Sequence, residues 1–171
     1  FLWRDGEGCR LIPAPDGLAH AYKLSLTGIG DAVYGMAGGS APGSSVPFLW
    51  SEENGTTVIP DTDEYELSIN AANEDGRLVV GSGRSRTGGP AAAIIHTFGV
   101  GTTTLADYLS LFGASYQPAD FTRATGISDD GSVIMGAGGL YPNWVVVIPP
   151  LGLADFNADR HVDFFDYLDF A

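Results

Sequence analysis

Between residues 155 and 166 the oxygen-bearing side chains fall at a regular beat. Asp155, Asn157, Asp159, Asp163 and Asp166 occupy positions 1, 3, 5, 9 and 12 of a dozen residues, and His161 sits at position 7. That is the ligand spacing of an EF-hand loop. A hard dication such as Ca2+ takes roughly six to eight oxygens at about 2.4 Å, and a tightly turned loop supplies them from alternate side chains, with position 7 giving only its backbone carbonyl. The expected cofactor is therefore Ca2+, with Asp155, Asn157, Asp159, His161, Asp163 and Asp166 as its ligand set. Asp166 would stand on the first turn of an exiting helix, Phe164-Phe165-Asp166-Tyr167-Leu168-Asp169-Phe170. Position 6 is Arg160, where the sharp turn favours glycine because positive φ strains a residue with a side chain. The plain alternative is a solvated acidic linker. The even spacing, and the aromatic and leucine residues behind it, favour the loop.

Other groups could do chemistry. Glu52, Glu53, Asp61, Asp63, Glu64 and Glu66 make an acidic cluster, and a retaining glycosidase needs two carboxyls about 5 Å apart. Acids on an exposed loop rim explain the same residues more simply. His96 could serve as a base, but no nucleophile elbow accompanies it. Gly81-Ser82-Gly83-Arg84-Ser85-Arg86 lacks the Gly-Lys-Ser/Thr of a phosphate loop and reads as a flexible connecting loop. Asn54-Gly55-Thr56 matches a glycosylation sequon. Trp3, Trp50 and Trp144 read first as core aromatics and only second as a stacking platform for sugar rings. No catalytic set emerges, and the chain is expected not to be an enzyme.

Composition narrows the classes further. The 171 residues carry 8 Lys+Arg against 21 Asp+Glu, a net charge of −13. Such a surface repels nucleic-acid phosphates and anionic bilayers. Cys9 is the single cysteine, so no internal disulfide and no thiolate metal cluster can form. The longest apolar run, 144–151, is interrupted by Pro149 and Pro150 and is too short to span a bilayer. The chain opens on Phe1-Leu2-Trp3 with no signal peptide, and we expect a piece of a longer protein.

The elements that would carry these groups repeat. Gly30-Asp31-Ala32-Val33-Tyr34-Gly35, Gly76-Arg77-Leu78-Val79-Val80-Gly81 and Gly131-Ser132-Val133-Ile134-Met135-Gly136 share a glycine, a β-forming run and a second glycine, at intervals of 46 and 55 residues. Between them stand Pro47-Phe48-Leu49-Trp50, Ala93-Ile94-Ile95-His96 and Asn143-Trp144-Val145-Val146, with Phe1-Leu2-Trp3 as an earlier copy. Ile94 and His96 fall where Phe and Trp are expected. Asp75-Gly76 and Asp130-Gly131 are turn dipeptides that accept positive φ, so each unit reads as two hairpins. Four short strands per 45–55 residues is the period of a propeller blade. An irregular β-sandwich is the alternative. Thr104-Leu105-Ala106-Asp107 has the form of a helix N-terminus; Leu105, Tyr108, Leu109 and Phe112 follow at helical spacing and Gly113 ends the run. A helix of two to three turns is expected there, and its insertion lengthens the second interval.

The Phe-Leu-Trp strand and the Ile-Asn/Ser-x-Asp-Gly-x-Val-x-Gly pair, alternating through residues 1–150, resemble the HAF repeat of bacterial extracellular proteins. Ala106-Asp107-Tyr108-Leu109, Ala124 to Gly131 and Trp144 to Pro149 are similar to the last unit of such proteins. The Asp-x-Asn-x-Asp-x-x-x-Asp-x-x-Asp pattern of residues 155–166, with Asp rather than Glu at position 12, resembles one dockerin loop; dockerins carry two. These resemblances imply a secreted or cell-surface protein with two parts. Residues 1–150 would form a partial β-propeller of about three four-stranded repeats with open edges. Residues 151–171 would form a calcium loop and exiting helix that could tether the chain to a cohesin-like or cell-surface protein partner. The implied function is a non-catalytic repeat or binding module. The alternative is a carbohydrate-active protein or accessory module with a polysaccharide ligand, since dockerins commonly append to polysaccharide-degrading enzymes.

Overall fold

The computed structural model describes residues 2–4, 6, 8–15, 18, 20–27, 32–38 and 45–148. The expected calcium loop and helix of 151–171, and with them Asp155, Asn157, Asp159, His161, Asp163 and Asp166, lie outside the described residues. The described part is all-β, with one short helix.

The strands group into four antiparallel meanders in chain order. The first sheet pairs β1 (Leu2–Arg4) with β2 (Gly8–Arg10). The second joins β3 (His20–Leu26), β4 (Ala32–Gly38), β5 (Ser45–Ser51) and β6 (Gly55–Val58) in sequence. The third repeats that order with β7 (Tyr65–Ala72), β8 (Leu78–Ser85), β9 (Ala92–Thr97) and β10 (Gly101–Thr104). The fourth has β11 (Arg123–Ile127), β12 (Val133–Ala137) and β13 (Asn143–Val147) among the described residues.

The turn between the first two strands of each larger sheet is built one way. Thr27, Asn73 and Ser128 each accept, on a side-chain oxygen, the backbone N–H five residues on: Ala32 at 3.3 Å, Leu78 at 2.9 Å and Val133 at 2.9 Å. Each also donates its own N–H to the carbonyl of that residue, at 3.0, 3.0 and 2.8 Å. Inside the turn Gly76 and Gly131 take φ of 70° and 76°, the left-handed backbone expected of Asp-Gly.

The second glycine of the motif has a different cause. Pairing slips once in each larger sheet, between Tyr22 and Ser25, Ile69 and Ala71, and Ala124 and Gly126. These bulges lie beside Gly35, Gly81 and Gly136. A Cβ on Gly81 would land on the Ser68 carbonyl, and one on Gly136 on the Arg123 carbonyl and the Trp144 ring. On Gly35 it would meet the Leu24 side chain at 2.8 Å and the Tyr22 carbonyl at 3.2 Å. The bulged strand presses into space that only a missing side chain leaves.

The later hairpins also superpose in register. Arg4↔Gly8, Ser51↔Gly55 and Thr97↔Gly101 close three-residue loops, and the next pairs inward are Trp3↔Cys9, Trp50↔Thr56 and His96↔Thr102. His96 therefore holds the position of Trp3 and Trp50, as the spacing predicts. Trp144 does not. It pairs with Gly136, as Phe48 pairs with Gly35 and Ile94 with Gly81, and Val146 occupies the Trp50 position. A shift of two residues keeps the same face of a strand, so the large ring stays inside and covers the gap over Gly136.

Three apolar clusters glue the sheets laterally. Ile12, from the end of the first hairpin, packs with Val33, Ala37, Phe48 and Trp50 of the second sheet. Tyr34, Met36 and Ile59 of the second unit pack with Leu67, Ile69, Val79 and Ile94 of the third. Val80, Ala93, Ile95 and Leu105 of the third unit pack with Ala124, Ile134 and Trp144 of the fourth. Ile12, Ile59 and Leu105, each just past the last strand of its unit, plug successive interfaces. The inserted helix α1 (Leu105–Ser110) is shorter than expected: six residues, followed by turns to Gly113. It adds Leu109 to the last cluster, and Pro118–Asp120 forms a single 3-10 turn before β11.

Candidate functional site

The acids at the rim of the second and third sheets divide into groups with different roles. Asp61 accepts the backbone N–H of Leu67 at 2.8 Å and pairs with Arg86 at 2.6 Å. Glu66 pairs with Arg84 and lies 3.8 Å from Arg86. The hydrogen bond from Arg84, then the charge of both arginines, holds the Glu66 carboxyl below its ordinary range. Arg84 and Ser85 belong to β8, so the segment 81–86 is a strand and a turn, not a flexible loop. Its alternate arginines reach β7 because a ladder sets cross-strand partners directly opposite, Glu66 against Arg84.

Asp63 and Glu64 turn the other way. With Tyr65, Thr102 and Asp107 they line a cleft of about 320 Å³ between the start of β7, strand β10 and the start of α1. The helix start is fixed as its sequence predicts: Thr104 Oγ1 accepts the Asp107 N–H at 3.1 Å and donates to Asp107 Oδ2 at 2.6 Å. Burial, then the charges of Glu64 and Asp107, pushes the Tyr65 hydroxyl up. The cleft is electronegative and lined with hydroxyls, a surface that suits a cation or a hydroxyl-rich neutral molecule better than an anion. Asp107 joins Glu64 here across more than forty residues of chain, which a local motif could announce only as a helix cap.

A second cleft, of about 540 Å³, lies between the β5–β6 turn and the β7–β8 turn. Glu53, Asn54, Asp75, Arg77 and Phe98 line it. Glu53 and Glu64 thus open onto different clefts and are not set up as one carboxylate pair.

His96 is buried. Its Nδ1 lies 2.7 Å from Thr102 Oγ1, and its ring meets Phe98 edge-on at 4.8 Å between centroids. Burial holds its pKa below the usual value, and its place in the hairpin is that of a core aromatic. Asp130, in the turn between β11 and β12, accepts from the hydroxyls of Ser128 and Ser132 and the N–H of Ser132. Those bonds lower its pKa to about 2; its role is to shape the turn. Cys9 is exposed on β2. Among the described residues no group of three or more His, Cys, Asp or Glu is arranged to hold a metal ion, and no helix is long and apolar enough to cross a membrane.

No family model matches the chain, and no curated protein matches it. The chain is similar to the solved structure of TolB from Acinetobacter baumannii, with 19% sequence identity and a TM-score of 0.42 over 75% of this chain. It spans 29% of the length of that protein.

Proposed function

We propose that this chain is a non-catalytic extracellular repeat module of β-propeller type, carrying a dockerin-like Ca2+ tether in residues 151–171. The observation that carries the reading is the recurrence of one unit. The side-chain-closed turn, the bulge beside a glycine and the lateral apolar cluster return in register at the intervals of the sequence motif. Units of this kind stack side by side because no single one buries both faces, and the propeller is the architecture that such four-stranded meanders build. Asp61, Glu66 and Asp130 are engaged in turn-making and cross-strand pairing, and Glu53 and Glu64 open onto different clefts, which favours binding over hydrolysis. The tether rests on the spacing Asp155, Asn157, Asp159, His161, Asp163, Asp166 and would present the chain to a cohesin-like or cell-surface protein partner.

Calorimetric titration of the full chain with CaCl2 tests the tether. One Ca2+ should bind per chain, with a gain in helical circular dichroism, and Asp155→Ala with Asp159→Ala should abolish both. Absence of heat in the unaltered chain would overturn the calcium reading. Turnover of any polysaccharide by the purified chain, lost on Glu64→Gln, would overturn the non-catalytic one.

A further inference from the structure

The β5–β6 loop holds an asparagine in a setting that the other described asparagines lack. Glu52, Glu53 and Asn54 form the loop between Ser51 and Gly55, which pair across the two strands. Asn54 is exposed, and its carboxamide enters no hydrogen bond among the described residues; its backbone N–H donates to Ser51 Oγ at 3.1 Å. Gly55 follows at a φ of 67°, and a Cβ built on it would meet nothing within 4 Å. The other described asparagines are held or shielded. Asn70 Nδ2 donates to the Ala124 carbonyl at 2.7 Å. Asn73 is buried, and its Oδ1 accepts the Leu78 N–H at 2.9 Å. Asn143 precedes the bulky Trp144.

We propose that Asn54 is a site of spontaneous deamidation, which changes both the charge and the backbone of this hairpin. The amide nitrogen of Gly55, once deprotonated by hydroxide, attacks Cγ of Asn54. An N–Cγ bond forms and closes a cyclic imide, the Cγ–Nδ2 bond breaks, and Nδ2 leaves as ammonia. Water then opens the ring at either carbonyl and leaves aspartate or isoaspartate. The balance is asparagine plus water giving an aspartyl residue plus ammonia, with nothing oxidised or reduced. Glycine favours the closure, because it sets no side chain against the attacking nitrogen and leaves the backbone free to rotate.

The place of the loop gives the change its effect. The new carboxylate would stand on the cleft of about 540 Å³ between the β5–β6 and β7–β8 turns, whose lining already holds Glu53 and Asp75 with Arg77. An isoaspartyl link also adds a carbon to the main chain of a hairpin whose next pair inward is Trp50↔Thr56. Trp50 packs with Ile12, and Thr56 Oγ1 donates to the Pro13 carbonyl at 3.4 Å. A displaced register would therefore reach the packing of Ile12 on the second sheet. The proposal depends neither on the Ca2+ tether nor on the absence of catalysis, so its test and theirs fail separately.

The full chain is incubated in mildly alkaline buffer, and its acidic species are followed by ion exchange and peptide mapping. A species with one added negative charge should accumulate and map to the Asn54 peptide, with isoaspartate among the products. Its rate should rise about tenfold per pH unit, because only the deprotonated amide attacks. Asn54→Gln should slow it by about tenfold or more, since the longer side chain closes a less favourable ring. The isoaspartyl fraction should melt a few degrees below the parent, while fresh Asn54→Asp, which carries the charge without the added carbon, should melt with it. An Asn54 peptide that stays unchanged while the same chain in urea converts overturns the proposal. A glycan on Nδ2 of the chain as isolated overturns it too, since the leaving group is then blocked. An isoaspartyl fraction that melts with the parent overturns the effect on the hairpin.

Discussion

The third and fourth sheets share a turn, a bulge and a register, yet one has both faces covered and the other has one. Ile95 and Val145 make the comparison sharpest. Both are β-branched residues one step past the residue opposite the motif glycine, and the first is inaccessible while the second is largely in water. Local pattern cannot separate them. What separates them is that the fourth sheet lies over Ile95 and no described sheet lies over Val145. A different contrast separates His96 and Trp50, which hold one hairpin position in neighbouring sheets: both are buried, and only the imidazole titrates.

Substitutions can break the comparison in order of expected effect. The largest should come from Gly81→Val, since its new side chain would collide with the Ser68 carbonyl and the bulge cannot retreat without losing its neighbour strand. A loss of about 3 kcal/mol or more is expected in urea unfolding. Gly35→Ala should cost less, about 1 kcal/mol, because its closest neighbour is the end of the Leu24 side chain. A loss at Gly81 no larger than that at Gly35 would mean that the Ser68 carbonyl is not what requires the glycine.

Next comes the covered against the open face. Ile95→Ala should lose about 3 kcal/mol through the cavity it leaves, and Val145→Ala should stay within about 0.5 kcal/mol of the parent. A comparable loss at Val145 would mean that the chain covers its own fourth sheet. The turn clamps follow. Asn73→Ala and Ser128→Ala should each cost about 1 kcal/mol, the former more because Asn73 is buried and Ser128 is half-buried.

The smallest effect is a pH dependence. Burial depresses the pKa of His96 in the folded state below its unfolded value near 6.5. The contribution is therefore complete above that value and is lost as pH falls through it toward the folded pKa. Thermal unfolding should shift down by a few degrees between about pH 7.5 and pH 5, and His96→Phe should flatten that part of the curve. An unchanged slope in the variant would assign the dependence elsewhere.

The repeat interval, the Asp-Gly turns, the helix cap at Thr104 and the replacement of Trp by His96 could all be read along the chain. Each is a local requirement: a positive φ, an orphan N–H, a strand period. The registration of Trp144 with Phe48 rather than Trp50 could not be read, because two residues either way keep the same face and only the void over Gly136 chooses between them. Nor could the sorting of the acids. Glu66 meets Arg84 on β8 and Asp61 meets Arg86 just past it, while Glu64 meets Asp107 from an inserted helix, and those meetings depend on which strands lie side by side.

Sequence alone determined the periodic unit, its turn chemistry and the oxygen spacing behind Asp155, since these arise from neighbours a few residues apart. Tertiary structure decided which apolar face is sealed, which carboxylate is neutralised by a guanidinium, and where the bulge demands a glycine. Those outcomes are set by contacts between strands far apart in the chain, where position in space rather than order supplies the partner.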